Sequence, residues 1–271
     1  MRGSLSVLTA FVRRDFSTAR SYALPFALEM AQALVTLVLF FYLGTLVDGS
    51  RVSGGLGLQT SYFDFALIGL ALFEIVQVTL VSFALKLRRD QETGTIEALL
   101  VTPARQTLVV IGGAAYDLVR ATLLGALMFV LGVVLFGFRP TLSGPDAVLA
   151  LAAAAPATMV FFAAVGISLA AFTIVFKETT AMVSFLATGL ALFGGVYYPV
   201  DVLPAGLDSL AQALPFTWSV DVFRAALLGG DIPAGRLFLL VAVALAALPA
   251  AFALLHAALV HAKRTGTLAQ Y

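Results

Sequence analysis

The chain has 271 residues, of which 61% are hydrophobic and only 11% charged, with a mean hydropathy of +1.02. Soluble globular chains average roughly 45–50% apolar and about 25% charged, so too few charges are present to cover a water-facing surface and lipid has to be part of the solvent. The net charge of +1 says nothing on its own, and without a basic patch away from the membrane-flanking positions nucleic-acid binding has no support. The absence of cysteine excludes disulfides and thiolate metal sites, and the absence of asparagine excludes N-glycosylation.

In chain order, the first element is a basic amphipathic helix over 4–20. Leu5, Leu8, Val12 and Phe16 fall on one face, with Arg13, Arg14, Ser17 and Arg20 elsewhere. Such a helix lies in the membrane interface. Arg13, Arg14 and Asp15 also interrupt its apolar stretch, so a cleavable signal peptide is not expected there. Six apolar runs long enough to cross about 30 Å of hydrocarbon follow, over 24–47, 63–85, 108–136, 147–176, 180–198 and 237–260. The third and fourth are long enough to tilt or bend, the fourth near Pro156. Small residues, among them Gly112, Gly113, Gly125, Gly166, Gly189, Gly194 and Gly195, permit close helix–helix approach in spans three to five.

Between spans two and three, the loop 88–105 carries a short surface helix over 96–101, capped by Thr95 and ended by Pro103. Its acidic start and Leu-Leu-Val patch suit docking to a soluble partner. After span five, 199–230 holds two apolar stretches, 203–214 and 216–228, split by Pro215. Each is too short to span, which predicts a re-entrant helical hairpin, with Asp221 and Arg224 spaced to pair on its second helix.

Arg2, Arg13, Arg14, Arg20, Lys86, Arg88, Arg89, Arg105, Lys177, Lys263 and Arg264 fall on one side of this topology, and only Arg51, Arg139, Arg224 and Arg236 on the other. The positive-inside rule therefore puts both termini in the cytoplasm and the hairpin outside. The expected fold is all-α: a single multi-pass transmembrane domain in the cytoplasmic membrane.

Catalytic motifs are missing. No lysine sits in a phosphate-binding GxxxxGK[ST] loop, so nucleotide hydrolysis is not expected of this chain. His256 and His261 are five apart, whereas a helical zinc pair takes four, and no GxSxG, HExxH or paired carboxylates occur. Ionisable residues inside spans are costly and usually face a bundle interior, a cavity or a partner. Glu29 lies close enough to the cytoplasmic interface to snorkel, and Asp117 and Arg120, three apart, can neutralise each other. Glu74 sits near mid-membrane with no partner of that kind. It either lines a pathway or dimer seam, or bonds Gln77 or a neighbouring helix.

Taken in order, the basic interfacial helix, the loop Glu92-Thr-Gly-Thr-Ile-Glu97, and the segment from Tyr197-Tyr198-Pro199 through Pro215 and Trp218 to Arg224 resemble the transmembrane subunit of a type-two ABC exporter. That resemblance implies an ATP-driven permease moving an amphiphilic, lipid-like, drug-like or glycan cargo. It would work as two permease copies with two ATPase subunits, packing through spans one and five, with ATP and magnesium held only by the partner ATPase. It implies a coupling helix contacting the ATPase through Arg89, Glu92, Thr93, Gly94, Thr95 and Glu97, beside Arg13, Arg14 and Asp15 of the interfacial helix. It further implies an extracellular gate formed around Tyr197, Tyr198, Pro199, Pro215 and Trp218. A secondary transporter, which would show inverted repeats and helices broken at mid-membrane, and a non-transporting membrane scaffold are the rival readings.

Overall fold

In a bilayer every backbone N–H and C=O must find its partner within the chain, which leaves an apolar single chain few options besides helices. The computed structural model describes residues 23–46, 60–92, 106–176 and 180–265. These residues form helices α1 (Ala23–Leu46), α2 (Tyr62–Glu92), α3 (Gln106–Phe136), α4 (Pro145–Phe176), α5 (Thr180–Phe193), α6 (Leu207–Gln212), α7 (Pro215–Leu228) and α8 (Ala234–Thr265), with a 3-10 turn at Val200–Val202. Among the described residues there is no strand, only an isolated bridge between Thr141 and Leu228. Five segments are long and apolar enough to cross a membrane: Ala27–Leu46, Tyr62–Lys86, Ala114–Phe136, Pro145–Ile174 and Ala234–Ala262.

The expected fifth span over 180–198 differs in the structure. Its helix stops at Phe193, after 14 residues. Gly194 and Gly195 turn the chain, and Gly195 has φ +71, a left-handed conformation in which a side chain would be strained. The hairpin differs too: its first helix is only the six residues of α6, while α7 runs 14 residues from Pro215.

Helix α2 is the hub. It packs on α3 and α4 most extensively, and also touches α1, α5 and α7. Two thirds (67%) of its span is buried within the protein, against 6% for α1. Close approach explains part of this. A Cβ at Gly166 of α4 would lie 3.0 Å from the Leu80 carbonyl and 3.1 Å from that of Thr79, so only glycine lets α4 and α2 meet there. The most extensive pairing in the molecule is α4 with α8, where Ala164, Ala170 and Ala171 face Ala251, Ala258 and Ala262. Small side chains on both helices bring the backbones together, and packing drives association in lipid.

By contrast α1 is held at two places. Towards its C-terminal end Phe40 stacks near Tyr62 and on Tyr197, and Phe41 meets Phe63 and Phe136. Towards its N-terminal end Glu29 reaches α3. Most of the remaining surface of α1 is exposed leucine and valine, which is the face it offers to lipid or to another subunit.

Candidate functional site: a polar cleft and a clamped turn

Two regions gather the polar chemistry of an otherwise apolar molecule. The first lies between α1, α2 and α3. Arg120 on α3 donates from Nη1 to Glu29 Oε1 on α1 at 2.8 Å, and Lys86 Nζ on α2 lies 3.9 Å from Asp117 Oδ2 on α3. The expected Asp117–Arg120 pair along one helix therefore does not form. Each residue instead ties α3 to a different neighbour, which joins three helices where a local pair would join none. Glu74 lies in the same cleft and makes no hydrogen bond or ion pair among the described residues. It lines two cavities, of about 290 and 220 Å³, together with Gln32 and Gln77. The larger reaches Lys86 and Asp117, and the smaller reaches Tyr197, so the polar track follows α2 towards the turn after α5.

The second region is that turn and the hairpin beyond it. Tyr62 of α2 donates from its hydroxyl to the Tyr197 carbonyl at 3.0 Å, and Arg224 of α7 donates from Nη2 to the neighbouring Val196 carbonyl at 3.3 Å. Arg224 also bonds the Phe65 carbonyl through Nε and Nη2, at 3.2 and 3.0 Å, and its guanidinium sits 3.3 Å over the Phe65 ring. It is 2% exposed, a buried cation whose charge is met by carbonyl dipoles and an aromatic face. The local Asp221–Arg224 pair expected from spacing is replaced: Asp221 pairs with Arg236 at the start of α8. All three of these ion pairs thus cross between helices.

Tyr197 turns its ring onto Phe40, with centroids 5.6 Å apart. Tyr198 donates to the Leu192 carbonyl at 2.6 Å, and Pro199 leads into the 3-10 turn. Pro215 opens α7, where its missing N–H costs nothing. Trp218 Nε1 donates to the Gln212 carbonyl at 2.7 Å and Thr217 to that of Ala211 at 2.6 Å, fastening α7 to α6. Asp208 on α6 accepts from the Ser209 and Gly206 amides, which hold its carboxyl below the usual carboxylate range. A cavity of about 380 Å³ opens between the turn, α7 and α8, lined by Asp201, Asp221, Arg224, Asp231 and Arg236.

Glu29 and Glu74 are thus brought into one cleft, and Tyr197, Tyr198, Pro199, Pro215 and Trp218 belong to one turn-and-hairpin unit at its far end. Arg89 and Glu92 fall on the last turn of α2, and nothing is described of their side chains. Arg13, Arg14 and Asp15 of the segment 4–20, and Thr93, Gly94, Thr95 and Glu97, lie outside the described residues. Sequence reasoning passed over Gln32, Arg224 and Arg236 as site residues. Arg224 carried a usable signal, since an arginine in the middle of an apolar helix has to be matched by something buried.

Comparison with known proteins agrees with this architecture. A family model described as ABC-2 type transporter matches residues 7–228. The inner membrane transport permease YadH of Escherichia coli K12 is 24% identical over 201 residues, covering 74% of this chain and 76% of YadH. Nodulation protein J of Rhizobium leguminosarum bv. trifolii is 28% identical over 233 residues, covering 85% and 84%. Its counterpart from bv. viciae is 29% identical over 147 residues, covering 53% and 54%. A chain whose described residues are helical, with five apolar spans among them and a family match over most of its length, is a multi-pass membrane protein that belongs to the ABC-2 type transporter family.

Proposed function

We propose that the chain is the permease subunit of an ATP-driven exporter in the inner membrane, with both termini in the cytoplasm. The family match over residues 7–228 is the observation that carries this reading, and the polar cleft sunk between α1, α2 and α3 is what a transport route through an apolar bundle would need. In this reading α5 with the turn after it supplies a sixth crossing, and α6 and α7 form a re-entrant hairpin at the extracellular end. The track from Lys86 past Glu74 and Glu29 to Tyr197 is the protein wall along which an amphiphilic cargo moves. Tyr197, Tyr198, Pro199, Pro215 and Trp218 gate its outer end.

Two copies would pair through α1 and α5. Both present apolar surface with little inside the chain to cover it: Phe185 is 80% exposed and Gly189 has nothing within 4 Å of where a Cβ would stand. Two ATPase subunits, holding ATP and magnesium, would dock on the loop 88–105 through Arg89, Glu92, Thr93, Gly94, Thr95 and Glu97, with Arg13, Arg14 and Asp15 alongside. Nucleotide would then bias one two-state element, the pair of coupling loops, and move the helices joined to it.

The test is co-purification in mild detergent of the tagged chain with the ATPase encoded beside it, comparing wild type with the Gly94→Arg/Glu97→Arg double variant. A stoichiometric ATPase that comes down with wild type and is lost in the variant supports the reading. If no ATPase binds under any nucleotide condition, the exporter reading fails and a secondary transporter or membrane scaffold replaces it.

A further inference from the structure

We propose that the cleft between α1, α2 and α3 is a binding site for lipophilic monocations, with Glu74 as the residue that receives the positive charge. The proposal deepens the permease reading and rests on it, since it takes this cleft as part of the transport route.

The charge balance comes first. The two cavities that share Gln32, Glu74 and Gln77 are lined by three carboxylates, Glu29, Glu74 and Asp117, and by two cations, Lys86 and Arg120. Glu29 is held by Arg120 and Asp117 faces Lys86, which leaves Glu74 as the carboxylate without a hydrogen bond or ion pair among the described residues. An ionised carboxylate inside a span is expensive unless a counter-charge meets it, so the site favours a cation over a neutral or anionic guest.

Unsatisfied atoms mark the same cleft as a place for a guest, while the sign of the guest's charge comes from Glu74. Glu29 Oε2 and Arg120 Nε are fully buried and have no hydrogen-bond partner among the described residues. Buried polar atoms in a native structure are paired nearly always, and the cost is highest where no bulk water can substitute. A guest that enters the cleft with its own polar atoms or hydration water would meet both. This is an observation independent of Glu74.

Shape and lining define the guest further. Cavities of about 290 and 220 Å³ that share one wall accommodate a compact head with apolar substituents rather than a long glycan. Val78, Val81 and Leu85 stand among the polar side chains that line the larger one, and Leu70, Phe73, Leu124, Met128 and Tyr197 among those of the smaller, so apolar and aromatic surface lies beside the carboxylate. Aromatic faces add attraction for a desolvated cation. The lightly packed α1 forms the third wall and gives the site a boundary with lipid, from which a lipophilic cation arrives.

The probe pair is tetraphenylphosphonium and tetraphenylborate, which share a shape and differ in the sign of the charge. Equilibrium dialysis against the full chain in nanodiscs, with empty nanodiscs subtracted, measures saturable binding. Tetraphenylphosphonium should bind saturably and tetraphenylborate should not. Glu74→Gln should weaken cation binding about tenfold or more, the order expected when one charge-assisted contact is lost. Glu74→Asp, which keeps the charge, should bind within a few-fold of wild type.

Equal binding of the two probes, an absence of saturable cation binding, or an unchanged affinity in Glu74→Gln overturns the assignment. If Glu74→Gln does not fold, the probe pair on wild type and the Glu74→Asp variant still decide. Because the assay uses the chain without any ATPase, a failure here with co-purification intact sinks the cation site alone. Lost co-purification with cation binding intact sinks the exporter reading instead.

Discussion

Arg224 offers the most demanding check on how the outer end is held together. Replacing it with Met keeps most of the volume and removes the donors. The loss comprises charge-assisted bonds to two carbonyls, Phe65 and Val196, and the contact of the guanidinium with the Phe65 ring. At about 1.5–3 kcal/mol for each carbonyl and about 1–2 for the ring, the gross loss is on the order of 4–8 kcal/mol. Against it stands the cost of keeping a guanidinium out of water, several kcal/mol, which Met does not incur. The net expectation is a destabilisation of about 2–4 kcal/mol.

Steric trapping in bicelles, which reads unfolding free energy without denaturant, measures it. Amide exchange should rise first at 194–198, because the variant frees the Val196 carbonyl. Tyr62→Phe alone should cost about 1 kcal/mol, the value of one neutral hydrogen bond to the Tyr197 carbonyl. Since both residues hold consecutive carbonyls of one turn, the double variant should depart from additivity by at least about 0.5 kcal/mol. An Arg224→Met cost below about 1 kcal/mol, or a strictly additive cycle, would refute the view that the turn is clamped from both sides.

Two further tests follow from the same geometry. Glu29→Gln removes the negative charge facing Arg120 and should destabilise the fold by more than the double variant Glu29→Gln/Arg120→Gln, because a charge left alone inside the bundle costs more than a pair removed together; steric trapping of both reads the order, and the reverse order would show the pair to be dispensable. The chain has no cysteine, so single-cysteine variants report topology without background. In whole cells a membrane-impermeant maleimide should label Ser143→Cys and Ser209→Cys and spare Arg264→Cys, and labelling of Arg264→Cys would invert the proposed orientation.

Hydropathy carried most of the fold. The expected spans 24–47 and 147–176 became Ala23–Leu46 and Pro145–Phe176, because runs of about 20 apolar residues have no other stable state in lipid. Where a short motif competes with hydropathy, the sequence reading overran. Gly194 and Gly195 stop α5 five residues early, and Pro204 with Gly206, at φ +95, delays α6 to Leu207. Electrostatics was the least legible level. Spacing along a helix suggested Asp117 with Arg120 and Asp221 with Arg224, yet the partners are Lys86, Glu29 and Arg236 on other helices. Local spacing shows which charges can meet cheaply. It does not register that a packed bundle gains more from a pair that joins two helices. Glu74 was legible as an outlier for the opposite reason, since no opposite charge lies near it in sequence and it has no hydrogen bond or ion pair among the described residues.

The sparse attachment of α1 has a consequence for how the molecule is made. Its contacts come from parts of the chain made after it: Tyr62 and Phe63 soon afterwards, then Arg120, Phe136 and, last, Tyr197. At ribosomal speeds of roughly 5–20 residues per second, Phe40 waits on the order of ten seconds or more for the ring it stacks against. During that interval α1 is stable as a helix in lipid but is only partly docked, as in the two-stage picture of insertion followed by packing. It is thus inserted before the other described helices and among the last to be fully docked, and a biogenesis factor that shields a transmembrane segment would have its longest opportunity here.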